Sequence, residues 1–143
     1  MIDKTVVISQ NICDEVERVI DGISPDKVFV LYDSTTHKCC SPLLEGCRGL
    51  QNATAIQIPA TDVNKTLDTL SAVWMELSNG GASRRSLLIN VGGGMVTDLG
   101  GFAASTFKRG IAYINIPTTL LAMVDASVGG KTAINFNGLK NEV

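Results

Sequence analysis

The chain has 143 residues, 45% of them hydrophobic and 18% charged, with a formal net charge of −2. That length and apolar content suffice for one domain with a real core and leave no room for two. The small negative charge gives no electrostatic reason for a nucleic-acid or anionic-membrane partner, and no basic cluster is longer than Arg84-Arg85.

The first residues, Met-Ile-Asp-Lys-Thr, carry neither a basic flank nor a long apolar run, and later uncharged stretches are broken by glycine, proline or polar residues. The expectation is a soluble, cytoplasmic protein. Cys13, Cys39, Cys40 and Cys47 form no CxxC pair, and two of them are adjacent, which suits neither a disulfide framework nor a common zinc spacing. Reduced thiols are therefore expected. A metal set built from His37, Cys39, Cys40 and Cys47 is outweighed by the plainer reading of an exposed histidine with partly buried cysteines on a short helix.

Thr5–Ile8 is a short β-branched run and reads as a first strand. Asn11 or Asp14 then starts a helix with Ile12, Val16, Val19 and Ile20 on one face, ended by Gly22. Lys27–Leu31 is a second strand whose unbroken apolar run suggests burial on both sheet faces, as in parallel sheets. A helix follows from about Thr36 to Cys47, then a strand from Ala53 to Ile58 stopped by Pro59. Residues 61–65 open a helix with Leu67, Leu70, Val73, Trp74 and Leu77 on its apolar face, and Asn79-Gly-Gly81 ends it.

Ser86–Val91 is the next strand. It feeds Gly92-Gly-Gly94, and a helical stripe of Met95, Val96, Leu99, Phe102, Ala103 and Phe107 follows. Gly100 and Gly101 interrupt that helix at up to about 1 kcal/mol each relative to Ala, which points to another backbone or a ligand packed close. Lys108-Arg109-Gly110 closes it, Ile111–Ile116 is a further strand, and Pro117 leads to a helix from Thr118 to about Val124. Lys131–Asn135, a turn at Asn137-Gly138 and Leu139–Val143 read as a hairpin. The class is α/β: a Rossmann-like, mainly parallel sheet flanked by helices and ending in a β-hairpin. A stop inside the second hairpin strand is expected of the first domain of a longer, two-domain protein.

The chemistry centres on Leu87-Leu-Ile-Asn-Val-Gly-Gly-Gly-Met-Val-Thr-Asp98, where a strand runs through three glycines into a helix. Bare amides at such a helix N-terminus make a phosphate cradle. The spacing is neither GxGxxG nor a Walker A loop, and Gly129-Gly-Lys-Thr132 is only half of the latter, since Asp125 stands where a glycine is needed. Asp33 lies at a strand's carboxyl end, where an acid can receive a ribose, although a capping role explains it equally. Read alone, Asp62 is a cap, Lys65 a solvated charge, Asp98 a dipole partner, Thr118 and Thr119 caps, and Asp125 with Lys131 a surface ion pair.

In order, Gly-Gly-Gly-Met-Val-Thr-Asp98-Leu-Gly-Gly-Phe102, Arg109-Gly, Pro117-Thr-Thr-Leu-Leu, Val124-Asp-Ala-Ser-Val-Gly-Gly-Lys131-Thr and Lys140-Asn141 resemble the 3-dehydroquinate synthase family of NAD-dependent sugar-phosphate cyclases. The likeness is dense from about Val91 to Asn141 and thinner before that. Pro59-Ala-Thr61-Asp62-Val-Asn-Lys65 resembles the family's Pro-x-Gly-Glu-x-x-Lys, with Thr61 and Asp62 replacing the glycine and glutamate. Thr97 stands where the family motif usually has glycine, Met123 and Ala126 depart from Gln-Val-Asp-Ser-Ser, and Ala133 replaces a glycine. These departures leave a sibling sugar-phosphate cyclase open.

The resemblance implies that Gly93 and Gly94 hold the NAD pyrophosphate, and Asp33, Asp62 and Lys65 the adenosine side. It places Asp98, Thr118 and Thr119 toward the nicotinamide ribose, and Asp125, Lys131, Lys140 and Asn141 toward substrate or cofactor. Arg109 matches an arginine that reaches the substrate phosphate in a neighbouring subunit, which implies a homodimer of the full-length enzyme. The implied substrate is a phosphorylated sugar acid, 3-deoxy-arabino-heptulosonate 7-phosphate, converted to 3-dehydroquinate and phosphate. The divalent zinc or cobalt comes with a helical C-terminal domain whose ligands are not in this chain, so the chain alone is expected to be inactive. A metal-dependent polyol or alcohol dehydrogenase shares the architecture, and a non-catalytic nucleotide-binding module is a further alternative.

Overall fold

The computed structural model describes residues 11–60 and 65–118. In chain order they form α1 (Ile12–Ile23), β1 (Val28–Asp33), α2 (Ser34–Leu44), β2 (Thr54–Ile58), α3 (Leu67–Asn79), β3 (Leu87–Gly92), α4 (Gly94–Thr106) and β4 (Ala112–Pro117). Single 3-10 turns lie at Arg48–Leu50 and Phe107–Arg109. The strand expected at 5–8, the helix expected beyond Thr118 and the closing hairpin fall outside the described residues.

The four strands form one parallel sheet in the order β2-β1-β3-β4. Its two central strands carry the unbroken apolar runs. The middle four residues of β1 and all six of β3 are buried, as strands covered on both faces require. At one edge β2 alternates, with Ile56 and Ile58 inward. The architecture is Rossmann-like α/β.

Side chains alternate across the sheet, so β1, β3 and β4 each serve two cores while β2 serves one. Phe29, Leu31 and Leu88 pack with Leu70, Val73 and Leu77 of α3 and with Met95, Val96, Leu99 and Ala103 of α4. Val30, Tyr32, Leu87, Ile89 and Val91 meet Val16 of α1 and Leu44 at the end of α2 on the other face. Each fully buried leucine contributes about 1.5–3 kcal/mol of apolar transfer, offsetting chain entropy. Trp74 ties the two helices of its face together, its Nε1 donating to the Ala103 carbonyl at 3.3 Å and to Thr106 Oγ1 at 3.1 Å.

Several element ends differ from the sequence reading for local reasons. Gly22 stays inside α1, which ends instead at Ser24 in the left-handed region; the Ser24 amide donates to the Ile20 carbonyl and its hydroxyl to that of Asp21. Helix α2 stops at Leu44 rather than Cys47, after Pro42 has removed a backbone donor from its last turn. Helix α3 starts at Leu67 behind Thr66, whose Oγ1 accepts from the Thr69 amide, rather than at residues 61–65.

The thiol expectation needs correction. Cys13 on α1 and Cys47 after α2 form a disulfide, with Cα atoms 4.9 Å apart, within the usual range for such bonds. Spacing along the chain missed it because the two helices that bring the cysteines together pack on the same sheet face. Cys39 and Cys40 are free, and burial pushes the Cys40 thiol up. His37 lies edge-on to the Tyr32 ring with centroids 5.2 Å apart, and no metal-ligating cluster occurs among the described residues.

What packs against Gly100 is a side chain of the sheet, not another backbone. A Cβ at this position would overlap Oδ1 of Asn90, a fully buried residue whose Nδ2 donates to Asn115 Oδ1 at 3.0 Å. At the amino edge of the sheet, Asp26 accepts hydrogen bonds from the Ser83 and Ser86 hydroxyls and so latches the entry of β1 to that of β3. The Ser83 bond and then the Ser86 bond hold its carboxyl below the ordinary carboxylate range.

Gly100→Ala is expected to lower stability in urea by about 1–3 kcal/mol through overpacking, although alanine is the better helix former. A stabilised variant would show that Asn90 does not set the glycine. The Asp26 latch gives a pH signature. Because its folded pKa lies below its unfolded one, its contribution is complete above about pH 4 and is lost as pH falls through the folded value. Asp26→Asn should therefore flatten the acid limb of the stability–pH curve, and an unchanged limb would remove the latch.

Candidate functional site

In an open parallel sheet, ligands bind at the carboxyl ends of strands where the chain leaves in opposite directions. Here that point lies between β1 and β3. From β1 the chain turns into α2 on one face, and from β3 into α4 on the other. Asp33, one residue past the Tyr32–Val91 register pair, forms one wall of the crevice, and Gly92-Gly-Gly94 forms the other. Thr36 spans the gap, its buried hydroxyl donating 2.9 Å to the Val91 carbonyl.

The glycine wall is shaped by what side chains would do there. At Gly92 a Cβ would sit 2.6 Å from Val96 Cγ2, so the strand can pass into the helix only without one. At Gly94 a Cβ would meet nothing within 4 Å, so the first turn of α4 faces open space. The N-cap, Gly93, has no side chain to receive the turn's amides, whereas α1, α2 and α3 are capped by Asn11, Asp33 and Thr66. The amides of Gly93, Gly94 and Met95 donate to no acceptor among the described residues. With the positive end of the helix dipole behind them, they can receive an anion with several oxygens.

Asp33 holds the opposite helix. Its Oδ1 accepts from the Thr36 amide at 2.7 Å while Thr36 Oγ1 accepts from the Asp33 amide at 3.0 Å, a reciprocal capping box. The capping reading of Asp33 is therefore realised, and the same geometry presents its carboxylate at the crevice. Thr118 also lies beside the glycines, its amide donating 2.9 Å to the Gly92 carbonyl and its side chain exposed.

Lys65 is not the solvated charge that its isolated position suggests. Its side chain is 4% exposed and its Nζ lies 3.1 Å from Asp98 Oδ2. Asp98 stands one helical turn beyond Gly94, on the same side of α4, so the ion pair lies next to the cradle. The structure thus gathers Asp33, Lys65, Gly93, Gly94, Asp98 and Thr118 at one edge. Arg109 is elsewhere: it precedes β4, at the amino end of a six-residue strand and so roughly 20 Å from the glycines. A cleft of about 410 Å³ lined by Asp26, Lys27, Gly49 and Gly80 also belongs to that far end. Asp62, Thr119, Asp125, Lys131, Lys140 and Asn141 lie outside the described residues.

Sequence reasoning passed over Thr36, Asn90 and Asn115. A threonine three residues after a capping acid is a visible capping-box signal. The two asparagines sit two residues before Gly92 and Pro117 in otherwise apolar strands, a matched placement that marks adjacent parallel strands.

The ion pair is asymmetric. Removing Asp98 takes one partner from the more buried member, whose side chain is 4% exposed, whereas removing Lys65 takes one from a carboxylate that is 19% exposed. Asp98→Asn should therefore lower the denaturation midpoint more than Lys65→Met does. Denaturation midpoints in the reverse order would place the pair's energetics elsewhere.

Residues 55–143 match the family model described as 3-dehydroquinate synthase N-terminal. The chain is 53% identical over all 143 residues to the 3-dehydroquinate synthase of Parabacteroides distasonis, of which it covers 40%. Among solved structures it is similar to 2-deoxy-scyllo-inosose synthase complexed with carbaglucose-6-phosphate, NAD+ and Co2+. That likeness has a TM-score of 0.83 at 29% identity, over 92% of this chain and 37% of that one. The 2-epi-5-epi-valiolone synthase of Streptomyces hygroscopicus, with NAD+ and Zn2+ bound, matches with a TM-score of 0.83 at 28% identity, over 100% of this chain and 40% of that one. The chain therefore spans about 40% of the length of such relatives, and it belongs to the 3-dehydroquinate synthase N-terminal family.

Proposed function

We propose that residues 1–143 are the NAD-binding N-terminal domain of a 3-dehydroquinate synthase. The observation that carries this reading is the set of amides at Gly93, Gly94 and Met95 that find no acceptor among the described residues, with open space at Gly94, in the β1/β3 crevice of a chain from that family. The amides fit a pyrophosphate, because they supply several donors to one anionic group and no Cβ at Gly94 fills the space. When bound, the dinucleotide supplies a reversible hydride acceptor.

In this reading, Gly93 and Gly94 grip the pyrophosphate, and Asp33 offers its carboxylate to a ribose hydroxyl while it caps α2. Lys65 and Asp98 flank the cradle as a fixed pair of opposite charges, and Thr118 lines the exit of β4. Asp62 joins the adenosine side, Thr119 the path toward the nicotinamide ribose, and Asp125, Lys131, Lys140 and Asn141 the substrate. A phosphorylated, carboxylate-bearing substrate needs such cations. Arg109, at the far edge of the sheet, suits the phosphate of a neighbouring subunit, and hence a homodimer of the complete enzyme. Zinc or cobalt, which acts as a Lewis acid on the substrate hydroxyls, would be held by a helical domain beyond this chain. The whole enzyme would convert 3-deoxy-arabino-heptulosonate 7-phosphate to 3-dehydroquinate and phosphate in the cytoplasm. No helix among the described residues is long and apolar enough to cross a membrane.

Thr97 before Asp98, together with the two solved cyclases, supports a sibling sugar-phosphate cyclase as the second reading. Titration of the 15N-labelled chain with NAD+ tests the binding assignment. The Gly93, Gly94 and Met95 amides should shift, and Gly94→Val should weaken binding at least about tenfold by filling the phosphate space, with the fold intact. Binding undiminished in that variant, or shifts confined to the amino edge, would overturn the assignment. The 143-residue chain alone should form no dehydroquinate.

A further inference from the structure

Three of the four described helices have their first-turn amides held by a capping side chain, and α4 does not. A turn that begins Gly93-Gly94 and lacks a cap has only its backbone helix bonds to hold its peptide planes, since glycine restrains neither φ nor ψ. A further restraint comes from below. Thr97, 1% exposed, directs its hydroxyl at the Gly93 carbonyl (3.2 Å) and the Gly94 carbonyl (3.3 Å) in a shared hydrogen bond, while its own amide donates to the Gly93 carbonyl at 3.0 Å.

Those two carbonyls belong to particular peptide groups. The Gly93 carbonyl shares its peptide unit with the Gly94 amide, and the Gly94 carbonyl shares its unit with the Met95 amide. A donor on the oxygen of a peptide group fixes its plane and polarises it, making its N–H a stronger donor. Helix stability does not account for a threonine here. It is a β-branched residue of modest helix propensity, and hydroxyl bonds back to the preceding turn slightly destabilise helices.

We propose that Thr97 is a positioning residue for the phosphate cradle, aiming and strengthening the Gly94 and Met95 amides through their own carbonyls. The inference rests on the reading of those amides as the pyrophosphate site. Its ligand is the diphosphate of a dinucleotide, and its action needs no contact between Thr97 and that ligand. Where the family motif carries glycine, this clamp has no counterpart at the position.

The test compares Thr97→Val, which keeps the shape and loses the hydroxyl, with Thr97→Ser, which keeps the hydroxyl, using the 143-residue chain. Thr97→Val should raise the Kd for NAD+ about fivefold, the equivalent of one ordinary hydrogen bond. Thr97→Ser should stay within about twofold of wild type. In the ligand-free protein, the Gly94 and Met95 amide protons should move upfield in Thr97→Val and not in Thr97→Ser, with unchanged unfolding midpoints. If Thr97→Val does not fold, Thr97→Ala, the better helix former, takes its place against Thr97→Ser. Equal NAD+ affinity in the valine and wild-type proteins, or a loss shared by the serine variant, overturns the proposal while the binding assignment stands. A wild-type chain that binds no NAD+ overturns both.

Discussion

An amide in the first turn of a helix has no carbonyl of its own helix to bind, and the site follows from where those of α4 are left. Strand β3 is buried along its whole length between two helical layers, so its exit must occur at the carboxyl edge. There it leaves through three glycines, since Val96 leaves no room for a side chain at Gly92. The outcome is a set of donors anchored to the most buried strand of the sheet yet open to solvent. Rigid support and exposed backbone at one point are what recognition of a phosphate requires.

The opposite wall uses different means. Asp33 and Thr36 satisfy each other's backbone, and Thr36 reaches across to Val91, so α2 is fastened to the strand that carries the glycines. Beside the cradle, Lys65 and Asp98 join the entry of α3 to α4 through an ion pair whose ammonium is almost wholly buried. The crevice is therefore held from both sheet faces, by hydrogen bonds on one and by an ion pair on the other.

Much of this was legible in the sequence where the signal is local. The apolar runs of β1 and β3, the stripe Leu70, Val73, Leu77 of α3 and the strand–glycine–helix passage at 87–98 all follow from periodicity and backbone freedom. What escaped depends on contacts between distant segments. Lys65 reads as a surface charge until α4 brings Asp98 to it across 33 residues. Gly100 reads as a place for a ligand or backbone until Asn90 is seen occupying it. Ser24 overrides Gly22 as the helix stop because capping geometry, and not glycine content, decides where a helix ends. The Asp33 case is different: cap and crevice acid are the same residue, and no local pattern separates the two roles.

The bond between Cys13 and Cys47 closes a loop of 34 residues on the sheet face opposite α4. Restricting the unfolded chain over that span contributes about 3–4 kcal/mol in the chain-entropy account, and only while the sulfurs stay joined. The protein accordingly has two resistances to unfolding, selected by the thiol balance of its surroundings. A more reducing environment would leave it with the weaker of the two.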